Sequence, residues 1–190
     1  MGALYLIRHG RTEANEKWLY CGSTDLFLSE SGAEELKKIK YNVPKNAIFL
    51  TSGMNRTEQT LKILFGDVPH KIDRRFREVD FGVFEMKSYE SLKEQMDYQA
   101  WISGDYEKKV PPDGESGEQM LERVLDGLQD LQKESKDVVL VSHGGVIAAI
   151  MEHLFPDEGK NRYLWQPRPG HGYVIKDGRY QEIETNENIV

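Results

Sequence analysis

Short continuous apolar runs alternate along this chain with stretches whose apolar residues recur every three or four positions. Ala3 to Ile7 is one such run, closed by Arg8-His9-Gly10, and reads as a buried strand opening into a loop at its carboxyl end. Ala47 to Leu50 reads as a second strand. Asp137 to Val141 is a continuous β-branched and leucine run, the pattern of a strand covered on both faces of a parallel sheet. Between the strands lie helical patterns. Ser29 and Ser31 can cap a helix running toward Tyr41, with Leu36 and Ile39 on its inner face, broken by Asn42 to Asn46. Thr51-Ser52-Gly53 is turn chemistry ahead of a helix that carries Thr57, Thr60, Leu61 and Leu64 on one side and ends before Gly66. Ser142-His143-Gly144-Gly145 turns the third strand into the apolar helix Val146 to Leu154.

Elsewhere the pattern is less even. Val68 to Val83 gives mixed signals, and Ser88 to Ile102 predicts one amphipathic helix with Leu92, Met96 and Ala100 facing inward. Gly104 to Glu115, with Pro111-Pro112-Asp113-Gly114, predicts a loop. Ser116 can cap a helix in which Met120, Leu121, Val124, Leu125, Leu128 and Leu131 recur at helical spacing, leaving Glu122, Arg123, Asp126 and Gln129 outside. Tyr173 to Lys176 and Arg179 to Ile183 flank Asp177-Gly178, a hairpin with a type I′ turn. Strand-helix alternation of this kind predicts an α/β fold. No repeat or low-complexity tract marks a second domain or a linker, so one unit over residues 1–190 is expected, with only the acidic tail after Ile183 loose.

Composition changes the picture in three respects. A chain of 190 residues, 38% hydrophobic, can bury one substantial core. A formal charge of −7 argues against a broad nucleic-acid surface, so any anion site must be local. Cys21 is the only cysteine, which rules out an internal disulfide and a thiolate-built zinc site and fits a reducing, cytoplasmic setting; it is read as a partly buried small side chain. No signal-peptide pattern opens the sequence and no apolar run approaches the roughly 20 residues of a membrane helix, so neither secretion nor membrane insertion is expected.

Ligands in open α/β sheets gather outside the carboxyl ends of the strands. Three strands here deliver polar clusters to that edge: Arg8-His9-Gly10, Thr51 to Arg56, and Ser142-His143-Gly144. Two arginines, two histidines and the amino ends of the following helices would offer many donors to a tetrahedral dianion, with arginine forks suited to phosphate oxygens. The implied ligand is a phosphoryl group. His9 and His143 sit in no metal-ligand spacing, and neither a metal nor a cofactor is called for.

These motifs, together with Thr12, Asn15, Gln59-Thr60, Arg77-Glu78-Val79-Asp80-Phe81-Gly82 and Asp25 to Gly32, occur in the order seen in the histidine phosphatase superfamily, which the chain resembles from about Leu4 to Ile147. The resemblance implies a three-layer α/β/α fold like that of phosphoglycerate mutases, with a mostly parallel central sheet, helices on both faces, and the Gly66–Glu115 region as a helical and loop insertion beside the active site. It further implies a phosphohistidine formed on His9, with Arg8, Arg56, His143 and Gly144 around the phosphate, Asn15 shaping the pocket, and Glu78 as general acid and then base. General physics agrees: neighbouring arginines favour a neutral, nucleophilic imidazole, and a carboxyl beside a phosphate is pushed toward its protonated form. Glu85 stands as the reserve acid. Ser52 and Thr51 would touch phosphate or cap the next helix, Asn15 would equally serve as a cap, and His171 would border the site or be solvated. His70 and His153 look structural or exposed. Trp18, Tyr20, Tyr163 and Trp165 would form an aromatic wall or simply pack.

The expected activity is that of a histidine acid phosphatase-type phosphomonoesterase acting on a small phosphorylated metabolite. Motif style is closest to the α-ribazole phosphatase-like and broad-specificity bacterial branch, which makes α-ribazole-5′-phosphate a candidate substrate. The alternatives are a cofactor-dependent phosphoglycerate mutase and a catalytically dead phospho-binding module. Against the mutase stand the short span from Glu78 to Ser142, the acidic loop around Asp113 and Glu115, the lack of a long basic tail after His171, and Arg11 where mutases carry an acidic residue. Gly53, Phe84-Glu85-Met86 and Ala148 depart from common family patterns and leave the substrate open. Arg74, Arg75, Lys160, Arg162 and Arg168 are the basic residues to examine for a second anionic group, each of them read first as solvated surface. Oligomeric state is left between monomer and dimer.

Overall fold

A computed structural model of the chain describes residues 2–44 and 46–183; the tail expected to be loose lies outside them. Six strands form one mixed sheet in the order β3-β2-β4-β1-β5-β6: β1 Leu4–Arg8, β2 Ile48–Thr51, β3 His70–Ile72, β4 Val138–Ser142, β5 Gly172–Lys176 and β6 Arg179–Glu182. The four strands from β3 to β1 run parallel, and β5 and β6 add an antiparallel hairpin whose turn residues Asp177 and Gly178 both have positive φ, as a type I′ turn requires.

The side-chain period of two splits each central strand between two cores. Leu4, Leu6, Val138 and Leu140 face α6 (Gly117–Gln132) and α7 (Gly144–Leu154), joining Met120, Val124, Leu128 and the wholly buried α7 stretch Val146–Met151. Ile7, Val139 and Val141 face the other way, with Phe49 of β2, onto Leu61 of α3 (Asn55–Phe65). Helices on both faces of a mostly parallel sheet make the three-layer α/β/α arrangement. The remaining helices are α1 (Glu13–Glu16), α2 (Glu30–Lys38), α4 (Tyr89–Leu92), α5 (Met96–Ile102) and α8 (Arg162–Trp165). Among the described residues none is long and apolar enough to cross a membrane.

Two elements differ from expectation. The helix capped by Ser29 stops at Lys38, because Ile39 turns to extended backbone and carries Tyr41 and Val43 onto the α3-side core. Ser88–Ile102 is not one helix but α4 and α5, and Met96, expected inside, is 87% exposed, with Ala100 exposed too. In an unbroken helix, Leu92 and Tyr98 would point some 120° apart. The break at Lys93–Gln95 lets both join Phe84 in a third cluster with Tyr20, Phe81 and Trp101, and these rings bury far more apolar surface than Met96 would. The mixed stretch from Val68 to Val83 resolves into β3, two 3₁₀ turns and the extended segment that holds Glu78.

Candidate active site

Register places the site. Arg8 of β1 lies opposite Ser142 of β4, and Thr51 of β2 opposite Val141, so His9, Ser52 and His143 each follow directly after the aligned strand ends. The ladder continues one step further, with His9 N–H donating to Ser142 O at 2.9 Å. The two imidazoles meet edge to face with ring centroids 5.2 Å apart.

His9 is buried, and its Nδ1 is 2.7 Å from Gly10 O. A carbonyl only accepts, so Nδ1 carries the hydrogen and the lone pair of the neutral ring sits on Nε2. Burial first, then the charges of Arg56 and Arg8, hold His9 well below the ordinary histidine value. His143 is depressed in the same way, by burial, Arg56 and the neighbouring His9. Its tautomer is also determined by its partners: Arg56 Nε donates to His143 Nδ1 at 3.3 Å, which leaves Nε2–H to donate to Ser52 Oγ at 2.8 Å. Ser52 then faces Thr57 Oγ1 at 3.2 Å, whose own hydrogen goes to Met54 O. Ser52 is therefore neither a phosphate ligand in this arrangement nor a helix cap. Thr51 does not cap either, since its hydroxyl bonds Glu58; Asp25 caps α3, accepting from Asn55 N at 2.7 Å.

Arg56 is 1% exposed and held from behind: Nη1 donates to Thr24 O at 2.8 Å and Nη2 to Gly22 O at 2.7 Å. Arg8 donates through Nη1 to Pro167 O at 2.9 Å, while its buried Nε has no hydrogen-bond partner among the described residues. Burial lowers both guanidinium pKa values, yet an arginine retains its charge. The orphaned donor of Arg8, beside the amino end of α7, is what an anion site requires. Gly144 and Gly145 make this packing possible. A Cβ on Gly144 would lie 3.0 Å from Arg8 Cζ, and one on Gly145 would lie 2.4 Å from Glu78 Oε1.

Glu78 reaches the same helix end, its carboxylate accepting from Gly145 N at 2.9 Å and from Val79 N at 3.1 Å. Asn15 proves to be both cap and wall. Its Oδ1 takes Thr12 N and Thr12 Oγ1, each at 3.0 Å, so what it offers the cavity is its amide donors. Arg8, Asn15, Glu78 and Gly145 line the inner part of a cavity of about 510 Å³.

Two residues matter here in ways their sequence positions did not suggest. Glu85, the reserve acid, is consumed by five donors: Gly22 N, Ser23 N, Thr24 N, the Thr24 hydroxyl and Phe81 N. It clamps the very loop whose carbonyls hold Arg56. Arg123, expected on the outer face of its helix, pairs with Glu115 at 2.7 Å and donates to the carbonyls of Arg75, Arg77 and Glu78, fixing the backbone that presents Glu78. Its place three residues after Met120 and four before the buried Gly127 puts it at the edge of the apolar face, the one signal that could have found it.

Of the aromatic candidates, Tyr20 and Tyr163 line the cavity, joined by Phe81 and Trp101. Trp165 is core, packed on Tyr173 and Tyr180, and Trp18 is 87% exposed. Arg162 lines the cavity, while Arg74, Arg75, Lys160 and Arg168 do not. His171 lies behind Arg8, accepting Arg8 N–H at its carbonyl, and lines a different groove with Gly10 and Arg11. His70 pairs with Glu58, and His153 is exposed.

Comparison with known proteins bears on the family and the fold. The family profile of the histidine phosphatase superfamily, branch 1, matches residues 4–176. An adenosylcobalamin/α-ribazole phosphatase of Salmonella typhimurium is 32% identical over 182 residues, which cover 89% of this chain and 86% of that protein. A crystal structure of the α-ribazole phosphatase from Shigella flexneri superposes with a TM-score of 0.81 at 24% identity, covering 98% of this chain and 96% of that one, and speaks for the fold. A phosphoglycerate mutase structure from Thermus thermophilus does so with a TM-score of 0.74 at 26% identity, covering 96% and 97%.

Proposed function

The chain belongs to the histidine phosphatase superfamily, and on that premise we propose that it is a phosphomonoesterase of the histidine acid phosphatase type, hydrolysing a small phosphorylated metabolite through a phosphohistidine on His9. The observation that carries the reading is the His9 ring itself: neutral by virtue of burial and two flanking arginines, with Nδ1–H tied to Gly10 O and the lone pair therefore on Nε2.

In the first step Nε2 attacks phosphorus, the bond from phosphorus to the ester oxygen breaks, and Glu78 delivers a proton to that oxygen so that an alcohol leaves. In the second, Glu78 takes a proton from water, the water oxygen attacks phosphorus, the P–N bond breaks, and inorganic phosphate is released. Charge on the equatorial oxygens is met by Arg8, Arg56 and the Gly144 end of α7, with Asn15 donating from the side and His143 joining them once its Nε2–H turns from Ser52 Oγ to phosphate. His143 Nδ1 and Arg56 Nε already share one hydrogen bond, so the pair acts as one preset unit.

We read residues 1–190 as one domain, with Gly66–Glu115 as an insertion that brings Glu78, Phe81 and Trp101 to the cavity. With Cys21 a free thiol, the cytoplasm is its proposed place of action. The names of the relatives make α-ribazole-5′-phosphate the first natural ester to assay. The direct test is incubation with p-nitrophenyl phosphate and with 3-phosphoglycerate, beside His9→Ala. Release of phosphate that is lost in His9→Ala is expected. Hydrolysis that persists in the variant would sink the reading, and isomerisation exceeding phosphate release would make the protein a mutase.

A further inference from the structure

Beyond the phosphate cradle the cavity opens into an outer chamber of contrasting chemistry. One wall is aromatic: Tyr20, Phe81 and Trp101 stand edge to face with ring centroids 5.1 to 6.0 Å apart, flanked by Ile102. Among the described residues, the opposite rim carries the chamber's one lining cation past Arg8, Arg162, and it is already spoken for. Its Nη1 pairs with Glu107 and its Nε with Glu152 at 3.4 Å, and the guanidinium is only 17% exposed. Gly117 admits this pair, since a Cβ there would lie 2.0 Å from Glu107 Oε2. The other lining carboxylate, Glu115, is bound to Arg123. Along the cavity as a whole three carboxylates, Glu78, Glu107 and Glu115, line the walls against two guanidinium groups, Arg8 and Arg162, which leaves an excess of negative charge around an apolar wall.

We propose that this chamber selects phosphomonoesters whose leaving group is an uncharged ring-bearing alcohol, and that Glu107, by neutralising Arg162, is the residue that excludes leaving groups bearing a second anion. The inference rests on the phosphomonoesterase reading for turnover but not for binding. A carboxylate or second phosphate entering the chamber would find its lining cation already paired and would face the half-buried carboxylate of Glu107, where water screens like charges less than in bulk. A flat ring would instead replace water on Tyr20, Phe81 and Trp101. Relief of the Glu107 pair would free Arg162 to bind an anion, reversing part of the preference.

The test compares two primary-alcohol esters, 2-(1-naphthyl)ethyl phosphate and 3-phosphoglycerate, so that leaving-group acidity is similar. We expect kcat/KM for hydrolysis to favour the naphthylethyl ester by about 100-fold, the scale of leaving one buried polar group without a partner. Glu107→Gln should narrow the ratio about tenfold by raising the rate with 3-phosphoglycerate. Trp101→Leu should narrow it about tenfold by lowering the rate with the naphthyl ester, the scale of one lost stacking surface. Tyr163→Ala, on the exposed rim where folding is not at stake, should narrow it in the same direction. Calorimetric titration of both esters into His9→Ala reads the preference without turnover. A binding ratio near one, a preference for 3-phosphoglycerate, or a ratio unmoved in Glu107→Gln overturns the proposal. A binding preference that persists while wild-type hydrolysis proves independent of His9 supports it and overturns the phosphohistidine reading instead.

Discussion

Beneath the cavity's inner lining of Arg8, Glu78 and Gly145 lies a buried floor of His9, Arg56 and His143, whose partnered ring nitrogens are assigned by main chain or by a neighbour in the same cluster. At its mouth Tyr163 is 69% exposed, and Tyr20 and Trp101 come from segments joined to the sheet only by loops. The floor is built from three strand ends whose register is set by the whole sheet. The mouth is built from the loop after α1, the insertion and α8, held together by aromatic packing and the Arg162–Glu107 pair. The proposed mechanism thus lodges reaction chemistry where backbone hydrogen bonds leave little freedom, and the proposed discrimination lies where side chains alone decide, so the second can change without disturbing the first.

Substitutions at the floor should be the costlier. Arg56→Lys removes the fork that grips Gly22 O, Thr24 O and His143 together, and should lower kcat/KM for p-nitrophenyl phosphate about 10³-fold. A loss of only a few-fold would mean the guanidinium is structural. Glu78→Gln should lower kcat about 10²-fold for alkyl phosphates and far less for p-nitrophenyl phosphate, whose phenolate leaves without a proton. Equal losses on both esters would remove Glu78 from the acid role. Glu85→Gln lies one step behind the floor. It should weaken kcat/KM and the inhibition constant of inorganic phosphate in parallel, each by about tenfold, with no dependence on the leaving group, because the damage passes through the grip of Arg56. A leaving-group dependence like that of Glu78→Gln would restore Glu85 as the acid.

The smallest effect concerns stability rather than turnover. His9 and His143 are both held well below the ordinary histidine value, so once pH falls under about 6.5 the unfolded chain takes up protons that the folded one refuses. Stability is complete above that pH and declines below it, by up to about 1.4 kcal/mol per pH unit for each histidine. Urea unfolding from pH 7.5 to 5.5 should show this slope, and His9→Asn should reduce it; identical slopes in both proteins would contradict a neutral His9.

The floor was legible in the sequence because its parts are local: an apolar run gives the strand, and the residues after it are delivered to the sheet edge by period alone. Arg8, His9, Arg56 and His143 could be found this way, and Glu78 through its motif. The supports could not. Glu85 meets Gly22 to Thr24 from some sixty positions away, and Arg123 meets carbonyls at Arg75 to Glu78, so neither leaves a pattern among its own neighbours. The mouth was misread for a related reason. Leu92, Met96 and Ala100 keep perfect helical spacing, but Tyr98 and Trp101 gain more by joining Phe84, and tertiary packing breaks the helix to let them. Trp165 and Trp18 show the same limit, one drawn into the core and one turned to solvent, with nothing local to tell them apart.

The proposed covalent step has a direct readout. Rapid mixing of the enzyme with a ring-bearing phosphomonoester, alkaline quench and peptide mass spectrometry should place an alkali-stable, acid-labile phosphoryl group on His9, absent from His9→Ala and retained on that residue in Glu78→Gln. Turnover with no phosphorylated enzyme, or a phosphoryl group on any residue other than His9, would contradict it.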